Sequence, residues 1–305
     1  MRRTFGLVVA LAAIVGLAGH AHAAMTVLGQ YGAGVKGYAG GQLDTPHGAA
    51  VGLDGSVFVA DTLNDRMSAF APDGTFRYAW GQDVIQGGIT DEFEICMPTD
   101  DCGPGFYSSY EGAVLYPGAV AIDPATGNVI VADEDNNRIH VFAPTGHFVR
   151  TFGFDVAYDG EGNVGPEVCT HNCLAGDETE AAGGFQEPEG VAVAPNGDIL
   201  VADHYNNRID AYASEGTFKY AFGRDVVPGG PSAPEVCTTD CKAGTVSTEP
   251  GAIPYPTAVA VDANGNVAVA ELSNLGVSIF GIDGTFKRII QLAGPAFPSG
   301  VAFAA

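Results

Sequence analysis

Positive charge is scarce in this chain. Thirteen lysines and arginines face 36 aspartates and glutamates over 305 residues, a net charge of −23 at pH 7. A polyanion is repelled by nucleic acid and by anionic lipid, so neither is an expected partner. Such acidity also serves solubility alone. Long apolar runs are missing beyond the N-terminus, and none there could cross a bilayer as a helix. Long helix-forming side chains are few, whereas glycine occurs 43 times and valine is plentiful. That balance points to β structure with many turns.

The exception is the start. Arg2 and Arg3 precede an uncharged apolar stretch from Phe5 to Gly19, followed by the small-x-small pattern Ala21-His22-Ala23. Fifteen residues are too few for a comfortable membrane span, so residues 1–23 read as a signal peptide cleaved near Ala23. An uncleaved N-terminal anchor is the alternative. The expected location is secreted or extracytoplasmic, with no membrane span in residues 24–305. About 282 residues remain, room for one large or two small domains.

Those residues repeat. Four units begin near Pro46, Pro117, Pro188 and Pro256 and cover about 45–84, 116–156, 187–226 and 255–294. Each reads as four short strands, a to d. In the third, Gly190–Ala194 is strand a, Pro195-Asn196-Gly197 a turn and Asp198–Ala202 strand b. Strand c is Arg208–Ala213, and Glu215-Gly216 turns into strand d, Thr217–Phe222. A single four-stranded unit cannot bury both its faces, but radially stacked units can. The expected fold is therefore an all-β propeller of four-stranded antiparallel blades. Residues 25–32 look like a strand d alone, and 298–305 like a bare strand a and a partial repeat. Four full repeats plus two terminal half-repeats suggest a five- or six-bladed ring whose sequence stops inside a fifth repeat. The alternative is a natural two-stranded closing blade.

The Pro-x-Gly-Val start and the Ala-Asp-x-x-Asn-x-Arg-Ile centre, at this spacing, resemble the NHL repeat family of β-propellers. The resemblance spans nearly all of residues 24–305. It implies recognition modules, including extracytoplasmic sensors. It also implies, as the other branch, metal-using lyases or hydrolases, among them peptide-amidating lyases and lactonases acting at the central channel. RNA binding, known for cytoplasmic relatives, conflicts with both the export signal and the charge.

Insertions at 85–115, 157–186 and 227–254 separate the units. Each holds one close cysteine pair: Cys96 with Cys102, Cys169 with Cys173, and Cys237 with Cys241. Six locally paired cysteines in an exported chain read as three small disulfides. A zinc site would need four ligands gathered in one place, and only His171 stands beside one pair. Strand order puts these loops on the same face as the b–c turns. The first two carry six and seven acidic residues, counted to Tyr116 and Glu187, and no lysine or arginine. That face is the expected surface for a protein or carbohydrate ligand.

Asp61, Asp133 and Asp203 each precede an arginine by five residues, namely Arg66, Arg138 and Arg208. The fourth unit has Glu271 and Gly276 there, losing both together. A pair repeated around a ring suits turn architecture better than a unique catalytic site, so no catalytic residue is assigned. Histidines 47, 140, 147, 171 and 204 fall at unrelated places in the repeat. Only His47, near the start of an innermost strand, is a candidate metal ligand, and a weak one. Calcium could suit Asp133-Glu134-Asp135, though the ligand alternation of a calcium loop is missing. No resident cofactor is expected. His204 stands where the other units have Thr62, Glu134 and Leu272.

Overall fold

The computed structural model describes residues 32–158, 165–273, 276–292 and 298–303. The expected signal peptide, its cleavage point near Ala23 and all but the last residue of the strand expected at 25–32 lie outside the described residues.

Each repeat forms one antiparallel sheet with its strands in chain order. The first contains β1 (Ala49–Val51), β2 (Val57–Asp61), β3 (Arg66–Phe70), β4 (Phe76–Gln82) and β5 (Phe93–Cys96). The second contains β6 (Pro117–Ile122), β7 (Val129–Asp133), β8 (Arg138–Phe142), β9 (Phe148–Phe154) and β10 (Pro166–Cys169). The third contains β11 (Pro188–Val193), β12 (Ile199–Asp203), β13 (Arg208–Tyr212), β14 (Phe218–Arg224) and β15 (Pro234–Cys237). The fourth has four strands: β16 (Pro256–Val261), β17 (Asn266–Glu271), β18 (Gly276–Gly281) and β19 (Phe286–Gln291). The turns between the third and fourth strands place Gly74, Gly146, Gly216 and Gly284 at φ between 81° and 99°, a conformation that strains any side chain.

The fifth strands depart from the four-stranded expectation. The start of each insertion returns antiparallel to the outer strand, pairing β5 with β4, β10 with β9 and β15 with β14. An unpaired outer edge would template aggregation, and these strands cover it. The sequence signal is Phe-Glu-Ile-Cys at 93–96 and Pro-Glu-Val-Cys at 166–169 and 234–237. Its glutamate accepts a backbone N–H at the head of the loop: Ile85 to Glu94, Ala157 to Glu167 and Val227 to Glu235, at 2.7, 3.0 and 3.1 Å. Three loop acids are thus spent on folding the loops. All three disulfides form as expected.

The core lies between sheets, as radial stacking requires. Phe58, Trp80, Val131 and Phe142 fill the space between the first two blades. Ile130, Phe152, Val201 and Tyr212 fill the next, and Leu200, Phe222, Val269 and Phe280 the last. Strands β2, β7 and β12 are buried along their whole length because both their faces are covered. The innermost strands nearly touch: a Cβ at Gly48 would stand 2.8 Å from Ala119 Cα, and one at Gly190 2.9 Å from Ala258 Cα. Among the described residues no strand pairs the fourth blade back to the first. Residues 298–303 form no strand.

Candidate functional site

The aspartates expected to hold the b–c turns end their strands directly opposite the matching arginines: Asp61 faces Arg66, Asp133 faces Arg138 and Asp203 faces Arg208. All six side chains are fully buried. Arg66 Nε lies 2.9 Å from Asp61 Oδ2, and Arg138 Nε 2.8 Å from Asp133 Oδ2. In the third blade Arg208 Nε turns to Asp210 at 2.9 Å and stands 3.4 Å from Asp203.

The remaining guanidinium N–H groups reach the loops. Arg138 donates to the carbonyls of Ser109, Tyr110 and Ala113 on the connection entering its blade, and to Leu174 on the one leaving it. With Nε, all five donors are used. Arg66 bridges Tyr38 and Gln42 to Gly103, and Arg208 bridges Glu180 and Gly184 to Lys242. The carboxylates complete the clasp by accepting the N–H of Asp44, Leu115 and Gln186 at 2.7, 2.6 and 2.8 Å. Each pair therefore ties two loops to one turn.

A third buried residue joins each clasp two positions after the arginine: Ser68, His140 and Asp210. Ser278 is its buried counterpart in the fourth blade. Position in the repeat was the only signal for this set. His140 Nε2 lies 3.0 Å from Asp133 Oδ2 and 2.9 Å from Ala113 O. Burial, and then the Arg138 charge, lower the affinity of this imidazole for a second proton. Asp203 and Asp210 share a single guanidinium. Burial and then the Asp210 charge push Asp203 well above its usual value, and burial raises Asp210 too. An acid whose folded pKa is raised loses stability as pH climbs above its unfolded pKa. Asp210→Asn should therefore melt higher than the parent at pH 8, with the advantage vanishing below about pH 4. Thermal melts across that range check it.

The loops dock on the turns through one glycine each. Gly105, Gly176 and Gly244, three residues after the second cysteine, donate their N–H to Asn64, Asn136 and Asn206 O at 2.7, 2.8 and 2.8 Å. A Cβ there would meet the backbone oxygens of Asp65, Asn137 and Asn207 at 2.1, 2.3 and 2.4 Å. Asp65, Asn137 and Asn207 in turn accept, through their side chains, the N–H of Tyr116, Glu187 and Tyr255 at the head of the next blade. Those three precede a proline and hold φ between 51° and 53°. Turn, loop and neighbouring blade are one connected unit.

On the same face, around the inner-strand heads, lies a cluster of acids and rings. Glu189 Oε1 stands 3.1 Å from His204 Nδ1. The His204 ring packs on Tyr205 and Tyr255 with centroids 4.7 and 5.6 Å away. Burial alone would make His204 less basic, but its bond to Glu189 and the charges of Glu189 and Glu187 raise its pKa overall. Glu134 is 7% exposed. Burial, then the charges of Glu189, Asp135 and Glu187, push it up to about 9. His47 is exposed and meets Tyr116 edge-on at 5.8 Å. Among the described residues no three histidine, cysteine, aspartate or glutamate side chains are arranged to hold a metal ion. A separate crevice of about 490 Å³ opens between the second and third blades, lined by Phe154, Pro166, Val168, Phe218 and Thr238.

The NHL repeat model matches residues 115–142 and 185–212, the stretches that hold the second and third turn clasps. The chain carries NHL repeats. The Drosophila melanogaster protein brain tumor is 24% identical over 184 residues, which is 60% of this chain and 13% of that protein. Xenopus laevis peptidyl-glycine alpha-amidating monooxygenase A is 28% identical over 199 residues, 61% of this chain and 17% of that one. The chain thus spans less than a fifth of the length of these two NHL-repeat relatives. Among solved structures, a streptogramin B lyase aligns at a TM-score of 0.47 and 16% identity, over 85% of this chain and 58% of its own. A nidogen/laminin complex aligns at 0.37 and 13%, over 84% of each chain. The three disulfides suit an oxidising, extracellular compartment. No helix among the described residues is long and apolar enough to cross a membrane.

Proposed function

We propose that the chain is an exported NHL propeller that binds a protein or glycan partner through the face built by the b–c turns and the disulfide loops. The observation that carries this reading is the threefold docking of loop on turn, by an arginine clasp and a glycine contact. A surface fixed before its ligand arrives loses little entropy on binding. Exposed aromatic rings stand on these loops, with Phe106, Tyr107, Tyr110 and Tyr158 between 58% and 74% accessible. Rings of this kind commonly anchor interfaces. The test compares the purified chain with a Tyr107→Ser/Tyr158→Ser variant as bait, using secreted proteins and an array of glycans from the same source. A ligand held by the parent and weakened at least tenfold in the variant is expected. Equal retention by both, or a ligand for neither, would sink the reading.

A second reading, a metal-dependent lyase or hydrolase at the central channel, draws support from the similarity to the amidating monooxygenases. It requires stoichiometric zinc or calcium in the purified protein and turnover of a peptide or lactone substrate. Metal analysis beside a turnover assay decides between the two.

A further inference from the structure

The clasps pair Asp61, Asp133 and Asp203 with arginines, but among the described residues Glu134 on the same face has no arginine of its own. Glu134 occupies the repeat position of Thr62 and His204, whose side chains meet the next blade at Pro117 O and Pro256 O, at 2.8 and 3.2 Å. The Glu134 carboxylate has no hydrogen bond or cation of this kind among the described residues, although the residue is 7% exposed. It leans inward instead: a Cβ at Gly118 would stand 1.9 Å from Glu134 Oε1 and 3.0 Å from Glu189 O. Glycine at 118, where the other blades have His47, Glu189 and Thr257, is what leaves room for it.

The groups around Glu134 are nearly all acidic or aromatic. On its own turn stand Asp133 and Asp135, and on the head of the third blade stand Glu187 and Glu189. Tyr116 lies beside it, made less acidic by burial and then by Glu134, Asp135 and Glu189. Across the Glu189 carboxylate are His204 and the rings of Tyr205 and Tyr255. Asp133 is matched by Arg138, and among the described residues Glu189 is paired with an imidazole alone. No lysine or arginine is among the leading charges that act on Glu134, Asp135 or Glu187.

We propose that this mouth between the second and third blades is a subsite for one organic cation, an alkylammonium or guanidinium group such as the end of a lysine or arginine side chain. Carboxylates that repel one another supply the charge, and tyrosine faces supply cation–π contact to a desolvated alkyl cation. Lysine-like and arginine-like ends share this chemistry, and the probes below separate them. The subsite rests on the partner-binding reading in that it shares the loop face, and it gives that partner a basic residue. Glu134 has to release its proton when the cation arrives, so affinity rises with pH.

The test titrates the purified full chain with n-butylammonium, n-butylguanidinium, neutral 1-pentanol and calcium chloride. It follows His204 and Tyr205 ring resonances by NMR and heat by calorimetry in two buffers of different ionisation enthalpy. Expected are saturable binding of at least one organic cation, proton release on binding, and tighter binding at pH 9 than at pH 7. Glu134→Gln and Glu189→Gln should each weaken it tenfold or more, with Glu134→Gln abolishing the proton release. The proposal is overturned if 1-pentanol binds as well, if affinity is flat with pH, if Glu134→Gln leaves affinity unchanged, or if calcium alone binds. The wild-type pH series and buffer comparison decide the matter even if a variant fails to fold. Cation binding with no macromolecular partner would count against the partner reading alone, and a partner bound without any cation effect would count against the subsite alone.

Discussion

Arg138→Leu is expected to lower the unfolding free energy by about 3–5 kcal/mol, because removing one member of a buried ion pair strands the other. Asp133 is fully buried and would keep only the Leu115 and Asn136 N–H groups and His140. The carbonyls of Ser109 and Leu174 would lose their donor at the same moment, and those of Tyr110 and Ala113 would keep only the Ala113 N–H and the His140 ring. An orphaned buried polar group costs about 1–3 kcal/mol, which entry of water partly offsets. The fourth blade is the internal control, because Glu271 faces Gly276 with no guanidinium at that position. Denaturant unfolding of the variant measures the loss. A change under about 1 kcal/mol would mean that the clasp is ornamental, since exposed pairs contribute no more than that.

Gly176→Ala is expected to cost about 2–4 kcal/mol, combining overpacking with the loss of one hydrogen bond. The added methyl would stand 2.3 Å from Asn137 O. That oxygen has little freedom to retreat. Asn137 holds φ 47°, donates its N–H to Glu134 O and accepts the Glu187 N–H on its side chain. The loop must therefore lift, losing the bond from Gly176 N–H to Asn136 O. Chemical denaturation reports the energy, and limited proteolysis within 165–180 reports the lifting. Wild-type stability together with wild-type protease resistance would contradict the docking.

Much of this was legible in the sequence. The four repeats, their strand order and the three cysteine pairs could be read because each recurs at fixed spacing, and recurrence separates signal from chance. The fifth strands were not read, although Glu-Val-Cys stands in two loops and Glu-Ile-Cys in the third. Four residues between turn formers are too short for alternation to announce a strand, and pairing with the outer edge is a tertiary event. The docking glycines were hidden by the abundance of glycine itself. Among 43 of them, Gly105, Gly176 and Gly244 stand out only when aligned on the second cysteine of each loop. His204 was visible as an oddity of its repeat, whereas Glu134 was noted only beside its acidic neighbours. What sets Glu134 apart is Gly118 across the blade, and no local pattern reports that.

The glycine contacts and arginine clasps hold the disulfide loops against the b–c turns as one face. Amide hydrogen exchange at Gly105, Gly176 and Gly244 tests it most directly, since these three N–H groups are the docking bonds. The prediction is protection comparable with that of the innermost hairpins at Val59, Val131 and Val201, lost at Gly176 when Arg138 is replaced by leucine. Exchange of the three glycines at the rate of free loop amides, with those hairpins still protected, would contradict it.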